Sequence, residues 1–162
     1  MTGTYAAGTD VPAERSKAEI ERTLMRYGAD EFMYGTSRDG AVVQFRADGR
    51  MVRFVLPMPD RASHEFTRTA TGKAKTEAAA QKAWEQATRQ RWRALLLAIK
   101  AKLEAVQIGL ATFEQEFLAY VVLPGGDTVG TWLAPQLDHA YSTGAMPTML
   151  PALGAGPSTP GR

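Results

Sequence analysis

The sequence predicts an α+β domain with elements in the order α-β-β-β-α-α-α, and three observations carry that expectation. Residues 16–27 place Ile20, Leu24 and Tyr27 at helical spacing. Residues 32–56 alternate apolar and polar side chains and are interrupted by Ser37-Arg38-Asp39-Gly40 and Asp48-Gly49, which reads as an antiparallel meander. From Thr76 to Gly109 apolar residues recur at helical spacing with no proline, the pattern of one long helix. A chain of 162 residues suits one domain and buries enough surface to fold alone. Residues 1–13 are read as a mobile N-terminal arm, 14–143 as the single α+β domain, and 144–162 as a Pro/Gly-rich tail.

In the first helix, "SKAE" has the form of a capping box, with Ser16 at the cap and Glu19 reaching back to it, and Gly28 stands where the helix should stop. In the meander, Asp48-Gly49 as a two-residue loop sets Phe45 against Val52 and Val43 against Phe54. If "SRDG" turns the first hairpin, Tyr34 meets Val43 and Phe32 meets Phe45. One face then carries Phe32, Tyr34, Val43, Phe45, Val52, Phe54 and Leu56; the other carries Met33, Val42, Gln44, Arg46, Met51, Arg53 and Val55. The core belongs on the first face, leaving the second mixed and basic.

Residues 57–75 are polar, contain Pro57, Pro59 and Gly72, and read as a long loop with four cations, Arg61, Arg68, Lys73 and Lys75. Thr76 is placed as the cap of the long helix, whose seam is Trp84, Leu95, Ile99, Leu103, Val106 and Leu110, aided by Ala87, Trp92 and Leu96. Such a helix is about 50 Å long, against a radius of gyration near about 15 Å for a compact chain of this size, so it must bend or pack on another subunit. A homo-oligomer is therefore one expected arrangement. Thr112 and Gln115 form a further capping box before a short helix bearing Phe113, Phe117, Tyr120 and Val121. Val129, Trp132, Leu133, Leu137 and Tyr141 support a last helix interrupted by Pro135, and "LPGG" connects the two.

The composition excludes several kinds of chemistry. There is no cysteine, hence no disulfide, thiolate ligand or thiol nucleophile. The two histidines, His64 and His139, have no ligand-spaced partners, so no metal is expected, and His64 beside Glu65 reads as a solvated loop residue rather than a general base. "LPGGDTVG" lacks the lysine and preceding strand of a phosphate-binding loop, and neither a dinucleotide fingerprint nor a nucleophile elbow is present. No catalytic residue and no cofactor are assigned. The N-terminus lacks the basic-then-apolar order of a signal peptide, and no apolar run approaches the roughly 20 residues of a membrane span. A cytoplasmic protein with no membrane partner is expected.

The charge distribution is what remains. The net charge is only +2. Residues 73–104, however, carry Lys73, Lys75, Lys82, Arg89, Arg91, Arg93, Lys100 and Lys102 against Glu77, Glu85 and Glu104, whereas 105–161 carry four carboxylates and no cation. Lys82, Arg89, Arg93 and Lys100 are spaced seven, four and seven apart and so share one helix face. With few acids nearby, this face fits a polyanion. The expected nucleic-acid-binding set is Lys82, Arg89, Arg93 and Lys100, with Arg46 and Arg53 on the sheet and Lys73 and Lys75 ahead of the helix. Trp92 within "RQRWR" is read first as a core anchor and second as a stacking platform, and single-stranded nucleic acid is favoured on the second reading. The alternative is a non-enzymatic adaptor or inhibitor that sets the same basic face on an acidic surface of a host or phage protein.

The order helix, three-strand meander, helix resembles the double-stranded RNA-binding domain and the core of Rad52-like single-strand annealing proteins. "GKAKTEAAAQKAWE", through Lys73, Lys75 and Lys82, is similar to the basic start of the second helix of the former. In the latter, a ring assembly presents a basic groove built from the sheet and long helix. "RSKAEIERTLMRYGADEF" and "KAWEQATRQRWRALLLAIKAKLEAVQIGLATFEQEFLAYVVLP" look like a family of small phage and prophage proteins without assigned activity, a likeness spanning most of residues 11–153. It implies a phage or mobile-element setting, with DNA metabolism and recombination among the expected roles, and it supplies no site residue.

Overall fold

The computed structural model describes residues 11–37 and 40–145. Helix α1 (Ala13–Arg26) leads into strands β1 (Glu31–Ser37), β2 (Gly40–Ala47) and β3 (Arg50–Leu56), followed by a short α2 (His64–Thr67), the long α3 (Glu77–Gln107), α4 (Phe113–Phe117) with a 3-10 turn over Leu118–Tyr120, and α5 (Val129–Thr143). The fold is α+β in the expected order, with α2 as an addition. The arm expected over 1–13 ends earlier, because Ala13 already belongs to α1, and residues 1–10 lie outside the described residues, as does the expected tail beyond Ala145.

The sheet has the order β1-β2-β3 and is antiparallel throughout. Its register is the expected one: Phe32 opposite Phe45, Tyr34 opposite Val43, Phe45 opposite Val52 and Val43 opposite Phe54. Asp48 and Gly49 are both at positive φ (50° and 69°), as a two-residue hairpin turn of type I′ requires. With the register fixed, strict alternation buries Ala41, Val43, Phe45 and Ala47 on β2 and leaves Met33 and Val55 exposed on the outer face.

The inner face packs on α1 and α3. Ile20, Leu24, Val43, Phe45, Val52, Leu96, Ile99 and Phe117 are fully or almost fully buried and form one continuous core. Phe117 anchors its lower end, stacked on Phe113 and set edge-on to Phe45 and Phe54. The capping box at Thr112 and Gln115 aims it there, each residue's side chain accepting from the other's backbone N–H. Leu110, expected in the α3 seam, lies past the helix end and is exposed.

Three local expectations are corrected. Pro12, not Ser16, stands at the start of α1; Ser16 lies one turn inside, fully buried, with its hydroxyl bonded to no described group. Residues 57–75 are not loop throughout. Ser63 caps α2, Phe66 is buried, Thr69 N–H donates to the Lys73 carbonyl, and Arg68 bridges Ala74. The connection after α4 is not a bare turn: Val121 bridges Val52, Val122 N–H donates to the Met51 carbonyl at 2.8 Å, and the chain doubles back so that Val129 N–H reaches the Val121 carbonyl.

The folded 57–75 segment also accounts for the length of α3. Its 31 residues span about 46 Å, capped by Thr76 accepting from Ala79 N–H. The segment covers the N-terminal half, where Trp84 Nε1 donates to the Pro59 carbonyl at 2.8 Å and Arg91 to the Pro57 carbonyl at 2.7 Å. Helix α1 covers the other half.

Candidate nucleic-acid interface

The face carrying Lys82, Arg89, Arg93 and Lys100 exists as a geometric stripe, but α1 divides it. Helices α1 and α3 run side by side in the same direction: Lys17 lies over Trp92, Glu19 meets Arg93 and Lys100, and Tyr27 donates to Gln107. The stripe borders the apolar seam, so the helix that closes the seam also roofs the stripe wherever the two overlap.

In that overlap the cations are paired, with one carboxylate shared between two of them. The Glu19 carboxylate accepts from Lys100 and pairs with Arg93 at 3.5 Å. The hydrogen bond from Lys100, with the charges of Lys100, Arg93 and Arg22, outweighs desolvation and holds the Glu19 carboxyl below its ordinary value. Arg93 and Lys100 are thus corrected from free cations to members of a three-residue ion cluster that ties α1 to α3. Lys102, on the opposite flank, pairs with Glu116 at 3.3 Å and lies over the Phe117 and Tyr120 rings.

Lys82 and Arg89 lie ahead of the start of α1, about 10 Å apart along the axis. Lys82 is exposed and has no described partner, while Arg89 donates to the neutral Gln86 side chain. The folded segment beside this half adds Arg61, Arg68, Lys73 and Lys75. Arg68 donates to the Gly72 carbonyl and Lys75 to the Glu65 carbonyl, while the side chains of Arg61 and Lys73 meet no described acceptor. Among the described residues, no cation between positions 50 and 91 is paired with a carboxylate. Backbone carbonyls hold several of these side chains in place without cancelling their charge.

The sheet contribution is elsewhere. Arg46 and Arg53 sit on the outer face, away from α3; Arg46 pairs with Glu31 at 2.8 Å across the strands, and Arg53 bridges Gln44 to the Gly126 carbonyl. The eight expected residues therefore occupy three places. Lys73 and Lys75 lie in the segment just ahead of α3, whose N-terminal half carries Lys82 and Arg89; Arg93 and Lys100 belong to the α1 seam, and Arg46 and Arg53 lie behind the sheet.

Trp92 is a core residue, 4 % exposed. Its ring is edge-on to Tyr34, and the Lys17 ammonium lies 4.9 Å from its centroid, so no base can stack there. Trp92 instead lines, with Tyr34, Met58 and Thr88, a cleft of about 690 Å³ beside the start of α1. Burial pushes the Tyr34 hydroxyl well above its ordinary value, aided by Glu21 and Glu14, and it donates to the Lys17 carbonyl.

His64 and His139 are both exposed, on α2 and α5. No group of three or more potential metal ligands is found among the described residues, and no described helix is long and apolar enough to cross a membrane. The residue the sequence reading missed is Glu19. Its partner lies 81 positions away, and the only local signal, the spacing from Ser16, pointed to a cap.

Comparison with protein-family models, with curated proteins and with solved structures found no match to this chain.

Proposed function

We propose that the chain binds nucleic acid without catalysing a reaction, through phosphate contacts made by Lys73, Lys75, Lys82 and Arg89, with Arg61 and Arg68 beside them. The observation that carries this reading is the run of cations on the N-terminal half of α3 and its covering segment that no described carboxylate pairs. Ion pairing elsewhere is specific: α1 and α4 each bring one glutamate to α3 lysines. A surface that keeps its charge while neighbouring cations are paired suits a polyanion. A role in phage or mobile-element DNA metabolism belongs to this proposal.

The experiment is fluorescence anisotropy of labelled oligonucleotides, single- and double-stranded, over a range of salt. With four phosphates neutralised on a single strand, log affinity falls with log salt at a slope of about −3. No binding at low salt would end the proposal.

The burial of Trp92 favours a second reading. Without an exposed aromatic beside the cations, the surface reads charge rather than bases, and an acidic protein surface meets the same requirement. Pull-down from nuclease-treated lysate separates the two, because partners bridged by nucleic acid are lost.

A further inference from the structure

The cleft beside the start of α1 has no part in the phosphate contacts proposed above. At about 690 Å³ it has the size of a small-molecule site. The start of α1, the β1–β2 hairpin, the segment after β3 and α3 enclose it, and the small residues Ala13, Gly35 and Ala41 keep it open beside Tyr34 and Met58. Its charged equipment is a single ion pair. Lys17 Nζ lies 2.9 Å from Glu14 Oε1 and 4.9 Å from the centroid of Trp92. The two partners are unequally held, for the Lys17 side chain is 29 % exposed and that of Glu14 81 %. The cation is fixed on the ring, whereas the carboxylate reaches it from water. So exposed a partner binds weakly, and another carboxylate can take its place.

We propose that the cleft binds a small aromatic carboxylic acid, with its carboxylate on the Lys17 ammonium in place of Glu14 and its ring against Tyr34 and Met58. The head group follows from charge. Lys17 is the one cation among the described lining residues, and it already holds a carboxylate. A singly charged acid replaces like with like, whereas a phosphate would bring more charge than one ammonium balances. The body follows from the walls. Tyr34 and Met58 are both partly buried and line the cleft together. A ring edge and a polarisable thioether favour an aromatic neighbour over an aliphatic one. Trp92 offers no stacking surface, because it is buried and Lys17 lies over its ring. Its part is to position the cation. The Tyr34 hydroxyl is already committed to the Lys17 backbone carbonyl and the Thr88 hydroxyl to the Trp84 carbonyl, so Lys17 supplies the strongest polar contact.

Amide NMR of the full chain, titrated with benzoate, tests this. Saturable shifts should appear around Ala13, Lys17, Tyr34 and Gly35 and at the Trp92 indole. Acetate, the head group without the ring, and benzyl alcohol, the ring without the charge, should both bind far more weakly. Two variants separate a binding role from a structural one by sign. Lys17→Met keeps an unbranched side chain over Trp92 and should weaken benzoate about tenfold. Glu14→Gln removes the competing carboxylate and should tighten it by about threefold. Glu14 is largely in water, so this second change leaves the fold intact. The absence of saturable shifts at the cleft, benzyl alcohol or acetate binding as tightly as benzoate, indifference to Lys17→Met, or weaker binding in Glu14→Gln would each overturn the proposal.

Discussion

Glu19 on α1 and Lys100 on α3 are joined by a salt bridge across 81 positions of sequence, and the same carboxylate also holds Arg93. This contact fixes α1 along the C-terminal half of α3 and decides which cations of the stripe remain available. Replacing Glu19 with Gln should cost about 1 kcal/mol, the scale of a partly exposed ion pair with a charged hydrogen bond. Glu19 has a lowered value in the folded state, so its contribution is present above the ordinary carboxylate range and is lost as pH falls through the folded value. Urea unfolding of wild type and Glu19→Gln at neutral pH and in acid should show the two curves converging in acid. A pH-independent difference would mean that Glu19 acts through packing.

Ser16→Ala should leave stability unchanged or raise it by up to about 1 kcal/mol, because the substitution removes a buried hydroxyl that has no partner among the described residues. Were Ser16 a helix cap, the same change would cost about 1 kcal/mol. Thermal unfolding separates the two outcomes by sign.

The contrast between Ser16 and Asp48-Gly49 shows what could be read from the sequence. The hairpin turn, the caps at Thr76 and Thr112 and the sheet register rest on residues within a few positions of one another, and all appear in the structure. At Ser16 the local signal was a capping box, yet the helix already begins at Ala13. The serine is buried one turn inside the helix, where it faces the core rather than the cap. The 57–75 segment held two large apolar residues in a polar stretch, Met58 and Phe66; the structure packs Met58 against the core and buries Phe66. The fate of the stripe was not legible at all. Spacing shows which cations share a face, but not which helix will lie along it or which acid that helix brings.

Phe117→Ala should destabilise the domain by about 3–5 kcal/mol. The ring is fully buried among Phe113, Phe45 and Phe54, and a cavity there opens the contact between α4 and the sheet. Denaturant midpoints report the loss. A cost below about 1 kcal/mol would show that α4 is not part of the cooperative core.

Gly40→Ala should cost about 2 kcal/mol or more. Gly40 has φ of +139°, and a Cβ there would lie 2.2 Å from the Leu56 carbonyl oxygen, so β2 and β3 could not keep their spacing. Unfolding of this variant against Gly49→Ala, where no atom lies within 4 Å of the added carbon, isolates the close contact from the cost of positive φ.

The division of the stripe is tested most directly by the salt dependence of oligonucleotide binding in two paired variants. Lys82→Gln with Arg89→Gln should weaken binding and make the salt slope shallower by about 1.4 on a single strand, the amount for two lost phosphate contacts. Arg93→Gln with Lys100→Gln should change the slope by less, because Glu19 holds both cations and its charge offsets one of the two. Equal losses in the two variants, or a loss confined to the second, would contradict the assignment of the free half of α3 as the binding surface.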